Sequence, residues 1–169
     1  DLQNMLDTLI DEGVCQIAND NVEGQIVISG HDYNIDRMVA ALKDTGHKAI
    51  KLKVSAPFHS SLIKNAEAPM QLALDKIKIS TPKVPLIANV TANIVTDTQQ
   101  IKQNLITQIS GTVRWRETMD KLAAMGILKL VEIGSGKVLA GLAKKSPHEF
   151  IVHNISSMQD LDEFLEENY

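Results

Sequence analysis

The sequence predicts an α/β protein, because short apolar strands and amphipathic helices follow one another along the chain. Hydrophobic residues make up 44% of the 169 residues, which is enough to bury a real core. Their spacing changes repeatedly between the period of two that a half-buried strand requires and the longer period of a helix. Beyond residue 84 strands and helices alternate, and this order is typical of a largely parallel sheet covered on both faces.

Residues 1–54 predict a small subdomain that is incomplete. After a first amphipathic helix, strands over 14–18 and 25–29 are separated by a polar loop over 19–24, which indicates a hairpin. A second helix and an alternating strand over 49–54 complete the order helix, strand, strand, helix, strand. This is the ferredoxin-like βαββαβ order of an α+β subdomain missing its first strand.

Residues 55–169 predict the C-terminal part of a larger α/β domain. A short apolar strand over 85–90 is followed by helices rather than by another hairpin. Asp97 and Gln100 have the spacing of a capping box at the start of the first of these helices. The later predicted elements are strands over 127–133 and 150–153, a helix over 138–145 and a final amphipathic helix that contains Leu161, Phe164 and Leu165.

Composition narrows the classes of function. The net charge is −4, and no basic run is interleaved with aromatic residues, so nucleic acid is not an expected partner. The apolar runs are too short to cross a bilayer, so a membrane is not expected either. Cys15 is the single cysteine, which rules out an intrachain disulfide and makes a reducing cytoplasm the natural compartment.

His59 lies where the chain changes from strand to helix. The alternation over 49–54 precedes it, and the apolar residues that follow it recur at helical spacing. Pro57 ends the strand because it cannot donate a ladder hydrogen bond, which puts His59 on or just inside a helix start. Loops at strand ends carry the sites of α/β folds, and imidazole is the usual general base. His59 is therefore a candidate base, and a solvated or hydrogen-bonded loop histidine is the alternative.

The glycines at 134–136 suggest a nucleotide-binding loop, but the pattern fails. A P-loop needs glycine where Val131 stands and a hydroxyl where Val138 stands, and the dinucleotide motif needs glycine at Leu139. A glycine turn that lets a helix pack closely on its strand is the simpler interpretation.

Five segments spread over nearly the whole chain carry a family resemblance. They are residues 19–31, the segment Val54-Ser55-Ala56-Pro57-Phe58-His59-Ser60-Ser61-Leu62, and residues 84–90, 113–115 and 132–139. In this order and at this spacing they resemble the malonyl-CoA:acyl carrier protein transacylases. The resemblance implies that residues 55–169 are part of an α/β-hydrolase-like parallel-sheet domain.

The resemblance also implies a reaction of fatty acid biosynthesis. A serine takes malonyl from coenzyme A and gives it to the pantetheine thiol of acyl carrier protein, with His59 as the base and with no metal or cofactor. By the same resemblance the backbone carbonyl of Gln108 orients His59, and the Gln108 side chain has a minor role. Asn21 matches an asparagine that lines the acyl pocket, and Gln25 is a weaker candidate nearby. Solvated helix-end or turn residues are the alternative for all three.

The chain departs from the family in one respect. No Gly-x-Ser-x-Gly nucleophile elbow is present, and Ser135 lacks the glycine spacing that would make it a substitute. The arginine that pairs with the malonyl carboxylate in the family is also without a match. The sequence is therefore expected to be the C-terminal part of a transacylase, with a missing N-terminal segment as its partner. A non-catalytic fragment or interaction domain that binds acyl carrier protein remains the alternative.

Overall fold

The computed structural model describes residues 2–168 and confirms the α/β class. The helices in this range are α1 (Leu2–Leu9), α2 (Asp32–Asp44), α3 (Glu67–Leu74), α4 (Thr98–Thr107), α5 (Trp115–Ala124), α6 (Val138–Ala143) and α7 (Met158–Asn168), with a 3₁₀-helix over Ser61–Ala66. The strands are β1 (Cys15–Val22), β2 (Gln25–Gly30), β3 (Leu86–Ala88), β4 (Asn93–Val95), β5 (Val113–Arg114), β6 (Lys129–Ile133) and β7 (Ile151–Ile155).

The predicted hairpin is confirmed, but its polar loop is shorter than expected. β1 and β2 pair antiparallel, and β1 continues through the polar residues to Val22, so the turn is reduced to Glu23 and Gly24. Two irregularities in the register accommodate this polar stretch within the ladder. Its other edge is also occupied, because β1 pairs in parallel with β5. The backbone therefore has partners on both edges at Asn19 and Asp20, and on the β2 side at Val22, which turn chemistry alone does not reveal.

The prediction of a strand over 49–54 is wrong within the described chain, because this segment enters no ladder. Lys51 ties it to helix α2 through Asp32 and Asp36, at 3.2 and 2.9 Å. The apolar members of the alternation, Ile50 and Val54 among them, are about two-thirds exposed, at 66% and 65%. Alternation predicts which side chains share a face, but a strand forms only where a neighbouring backbone accepts its hydrogen bonds.

A second hairpin contradicts the expectation that only helices follow the strand near Pro85. β3 pairs antiparallel with β4, from Leu86 opposite Val95 to Ala88 opposite Asn93. The turn contains Ala92, which is buried and has a φ of +52°. Alanine rarely adopts this left-handed conformation, so no residue pattern indicated a turn here.

Parallel pairing in the last third of the chain is confirmed. β6 and β7 are in register from Lys129 opposite Ile151 to Ile133 opposite Ile155, with α6 in the connection between them. Within the described residues the strands form three small sheets, of which the largest has the order β2-β1-β5. The pairing of β1 with β5 joins residues 1–54 to the rest of the molecule.

Asp97 caps helix α4 as the sequence predicted. Its Oδ1 atom accepts a hydrogen bond from the backbone N–H of Gln100 at 2.8 Å, while the Gln100 side chain donates to Asn104. Half of the capping box is therefore formed.

Replacement of this cap gives a first expected result. In a folded chain that contains this segment, Asp97→Ala should lower the free energy of unfolding by about 1 kcal/mol, because a helix N–H loses its acceptor. Denaturant unfolding measures the change. Thr96→Ala, at the exposed preceding residue, is the matched control and should be neutral; an equal loss in both variants would contradict a capping role.

Candidate active site

His59 lies two residues before the 3₁₀-helix, next to its N-cap Ser60, in an unusual backbone conformation. Its φ is +56°, in the left-handed region that non-glycine residues seldom adopt. Such a conformation costs about 1–3 kcal/mol and persists where surrounding contacts fix it. Residues of this kind cluster at functional sites, so the backbone adds a second reason to regard His59 as a candidate.

A backbone carbonyl holds the imidazole of His59. Nδ1 lies 3.0 Å from the carbonyl oxygen of Gln108. Because a carbonyl oxygen can only accept, this contact assigns the proton of the neutral ring to Nδ1 and leaves Nε2 as the acceptor. The amide nitrogen of the Gln108 side chain is 3.5 Å from the same Nδ1 and would favour the opposite tautomer. The shorter contact decides the assignment.

The Gln108 carbonyl is presented by a tight turn at the end of α4. The Gln108 side chain donates to the carbonyl of Gly111 at 3.1 Å, so it closes the turn rather than extending into solvent. The N–H of Gly111 donates to Thr107 at 2.8 Å. A Cβ atom at position 111 would lie 2.8 Å from the Thr107 carbonyl oxygen and 2.7 Å from the Val90 side chain. Glycine is therefore required at this close approach.

Helix α3 braces the same turn from the other side. The hydroxyl of Ser110 donates to the Glu67 carboxylate, and both side chains are half-buried. Glu67 directly follows the 3₁₀-helix that begins after His59. The contact therefore connects the histidine segment with the turn that carries its backbone partner.

The two predicted acyl-pocket residues are not joined to this pair. Gln25 accepts a hydrogen bond from Lys145 at 3.2 Å, which ties the hairpin to the end of α6. Asn21 lies near the end of β1. Among residues 2–168, no hydrogen bond connects Asn21 or Gln25 to His59. Their part in acyl binding stays a prediction.

An ion pair next to Asn21 was not predicted from the sequence. Arg116 binds both carboxylate oxygens of Asp20, with the shortest contact at 2.7 Å. The hydrogen bonds that Arg116 donates to Asp20 raise the pKa of Arg116 above its usual value, so the guanidinium stays charged. Thr112 also donates to the carbonyl of Ile17 on β1, at 2.7 Å. These contacts fasten the end of β1 to the turn that follows Gln108.

A cleft of about 320 Å³ lies between α1, the start of β1 and the 3₁₀-helix. Its wall includes Cys15, and also Gln16, whose side chain accepts a hydrogen bond from the N–H of Ser61 at 3.1 Å. Burial raises the pKa of the Cys15 thiol, which keeps it protonated and unreactive at neutral pH. Cys15 is therefore unsuited to act as the nucleophile for His59.

The glycines of the 134–136 loop do not serve close packing of a helix on its strand, because a Cβ atom at Gly134 or Gly136 would meet nothing within 4 Å. They are needed instead for the backbone, whose φ is +146° at Gly134 and +86° at Gly136. The Glu132 carboxylate accepts hydrogen bonds from the N–H groups of Leu139 and Ala140, at 3.1 and 2.8 Å. A nucleotide phosphate would need these same N–H groups and would meet a carboxylate there.

In the part of the chain that the structure describes, no group of three or more His, Cys, Asp or Glu side chains could hold a metal ion. Nor is any helix of residues 2–168 both long enough and apolar enough to span a bilayer.

The fold is of the α/β class, and comparison with known proteins identifies the class of protein as an acyltransferase. The family model described as "acyl transferase domain" matches residues 3–161. The chain therefore belongs to the acyl transferase domain family.

Individual relatives have a common description. The malonyl CoA-acyl carrier protein transacylase of Bacillus subtilis (strain 168) is 43% identical over 146 residues, covering 85% of this chain and 46% of the relative. The Haemophilus influenzae protein of the same name is 37% identical over 156 residues, covering 90% of this chain and 50% of the relative. The chain thus spans about half the length of the curated relatives it matches.

Solved structures give the same picture. An acyl-carrier-protein-S-malonyltransferase from Bartonella henselae superposes with a TM-score of 0.92 at 40% identity, covering 98% of this chain and 53% of the other. A malonyl-transacylase in complex with its type II PKS acyl-carrier protein superposes with a TM-score of 0.91 at 31% identity, covering 98% and 54%. The described residues therefore have the fold of half of such an enzyme.

Proposed function

We propose that this chain supplies the general base of a malonyl-CoA:acyl carrier protein transacylase of fatty acid biosynthesis. The observation that carries the proposal is the contact of His59 Nδ1 with the Gln108 carbonyl oxygen, at 3.0 Å. It leaves Nε2 free to accept a proton, as a base must. The homologues named malonyl CoA-acyl carrier protein transacylase support the substrate assignment.

The reaction proceeds in two transfers. In the first, Nε2 of His59 takes the proton of a serine hydroxyl while the serine oxygen attacks the thioester carbonyl of malonyl-CoA. The tetrahedral intermediate collapses, the carbon–sulfur bond breaks, and the imidazolium returns the proton to the departing coenzyme A thiol. In the second, Nε2 takes the proton of the pantetheine thiol of acyl carrier protein, which attacks the malonyl-serine ester. The carbon–oxygen bond of the ester then breaks, and the imidazolium returns the proton to the serine oxygen.

A backbone carbonyl suits this use of histidine. The carbonyl fixes the tautomer and the orientation of the imidazole ring, as the carboxylate does in a catalytic triad. The rigid turn around Gly111 and the brace from Glu67 to Ser110 keep the oxygen in place. The proposed role of Gln108 therefore belongs to its backbone, while its side chain stabilises the turn.

The nucleophile is proposed to come from an N-terminal segment that packs on this chain. In the described structure the edge of β2 that faces away from β1 has no strand beside it, and the 49–54 segment is exposed. A further strand between β2 and the 49–54 segment would supply backbone hydrogen-bond partners to both, as the ferredoxin-like order requires.

We place the boundary of this small subdomain at residue 54 and assign 55–169 to the larger domain. The reducing cytoplasm is the proposed compartment, because the thiol of Cys15 is free and the family acts in fatty acid biosynthesis.

Asn21 and Gln25 are proposed to contribute to the acyl pocket. Asn21 follows Asp20, which Arg116 fixes in place, so the end of β1 is held close to the turn after Gln108. Gln25 is the weaker candidate because its side chain already binds Lys145. Acyl carrier protein is the proposed acceptor, and the solved malonyl-transacylase complex with an acyl-carrier protein supports it.

Substrate preference tests the proposed function. In a chain that joins this segment to the nucleophile-bearing half, malonyl-CoA should react faster than acetyl-CoA by on the order of 10² or more. The reason is that acetyl lacks the carboxylate with which the family's arginine forms paired hydrogen bonds. Transfer to acyl carrier protein is measured with each thioester under the same conditions. Equal rates would point to a broader acyltransferase, and no transfer from either would contradict acyl transfer itself.

A further inference from the structure

We propose that Ser60 is a positioning residue for His59, an inference that rests on the proposed acyl transfer. Ser60 directly follows the histidine and has 0% of its surface exposed. Its hydroxyl donates to the carbonyl oxygen of Pro57 at 2.7 Å. A fully buried hydroxyl with one short hydrogen bond is a fixed structural contact.

The hydrogen bond of Ser60 closes the turn that contains His59. It joins residues three apart, so Phe58 and His59 must reverse the chain between them. The N–H of Phe58 contributes by donating to the Ala56 carbonyl at 2.9 Å. The reversal is completed by the left-handed conformation of His59, because no glycine is available in this turn. The Ser60 contact and the unusual backbone are thus parts of one device.

This device decides where the imidazole points. Cβ of His59 takes its direction from the backbone, and the ring then reaches the Gln108 carbonyl 49 residues away in the sequence. If His59 relaxed to the right-handed region, the ring would leave that carbonyl and Nε2 would lose its fixed direction. Ser60 therefore acts through His59.

The same observations exclude Ser60 as a nucleophile, although a serine next to a histidine invites that interpretation. Its side chain has no exposed surface from which to reach a thioester, and its proton is directed to Pro57 rather than to the imidazole. Nucleophile and base must lie within hydrogen-bond reach of each other and of the substrate.

The test uses a chain that carries both this segment and the nucleophile serine. Ser60→Ala should lower kcat for malonyl transfer about ten- to a hundredfold and leave KM nearly unchanged, because a misdirected base affects chemistry and not binding. Ser61→Ala is the matched control, since it makes the same change one residue later at an exposed position, and it should leave both constants unchanged. A normal kcat in Ser60→Ala, or an equal loss in Ser61→Ala, would overturn the proposal.

A double variant separates positioning from general destabilisation. If Ser60 acts only through His59, adding Ser60→Ala to His59→Ala should cause no further loss of kcat. A further tenfold loss would show that Ser60 supports the site in another way and would contradict the inference.

A spectroscopic readout keeps the test independent of the proposed function. In the ¹⁵N-labelled protein, the Nδ1–H signal of His59 should show one tautomer in the parent and in Ser61→Ala, and a mixture of tautomers in Ser60→Ala. A parent without transfer activity would contradict the proposed function, and this signal would still decide the role of Ser60. An unchanged tautomer in Ser60→Ala would overturn the positioning role whatever the activity.

Discussion

His59→Ala is expected to lower malonyl transfer by about two to four orders of magnitude in a chain that also carries the nucleophile serine. Without the imidazole, the serine proton has no positioned acceptor and the coenzyme A thiol has no proton donor. The change should appear in both half-reactions, because the same nitrogen serves each. Rapid-quench measurement of malonyl-enzyme formation and of its discharge to acyl carrier protein separates the two.

The chain provides a matched control for this result. His47 is exposed in the loop after α2, so His47→Ala removes an imidazole without disturbing the turn at residues 57–60. Its transfer rate should equal that of the parent. Near-normal turnover in His59→Ala would remove His59 from the mechanism, and a comparable loss in His47→Ala would show that the assay responds to something other than the base.

Local sequence patterns predicted the elements that local interactions determine. The Asp97 cap depends on residues three apart, and β6, α6 and β7 follow from apolar spacing within short windows. Pro57 and the helical spacing after it placed His59 near the start of a helix, although the strand expected before Pro57 does not form. In each case the residues that form the structure are also neighbours in the chain.

The elements that were missed depend on distant or backbone partners. The 49–54 segment has the alternation of a strand, but alternation carries no information about which backbone will pair with it. The β3–β4 hairpin turns through a buried alanine with positive φ, which no turn propensity anticipates. Arg116 and Asp20 are 96 residues apart, so their pairing leaves no local trace.

The candidate site also has one part that the sequence predicts and one part that it does not. His59 has side-chain chemistry that a sequence displays, whereas its partner is the carbonyl of Gln108, and every residue has such a group. The residues alone therefore could not identify Gln108, and the family resemblance supplied it. The left-handed backbone of His59 became visible only in the structure, because few non-glycine residues adopt that conformation and no sequence pattern around His59 marks it.

The exposed apolar surface of this chain predicts a second large effect, the low stability of the isolated 169 residues. Several large apolar side chains lie mostly in solvent in the described structure, among them Val84 at 72%, Val138 at 72% and Ile133 at 79%. Full burial of such a side chain contributes about 1.5–3 kcal/mol to stability, and the isolated chain lacks this contribution at each exposed position. The free edge of β2 adds unpaired backbone groups.

The isolated chain is therefore expected to be inactive and to unfold without a cooperative transition. Adding an acyltransferase N-terminal fragment that contains the elbow serine should restore both cooperative unfolding, followed by calorimetry, and malonyl transfer to acyl carrier protein. The same fragment with that serine replaced by alanine is the control, and it should restore folding alone because the surfaces it covers are unchanged. A cooperative thermal transition of the isolated monomer, with slow amide exchange in β2 and in residues 49–54, would show that the small subdomain is complete by itself and would refute the proposal that a further strand lies between them.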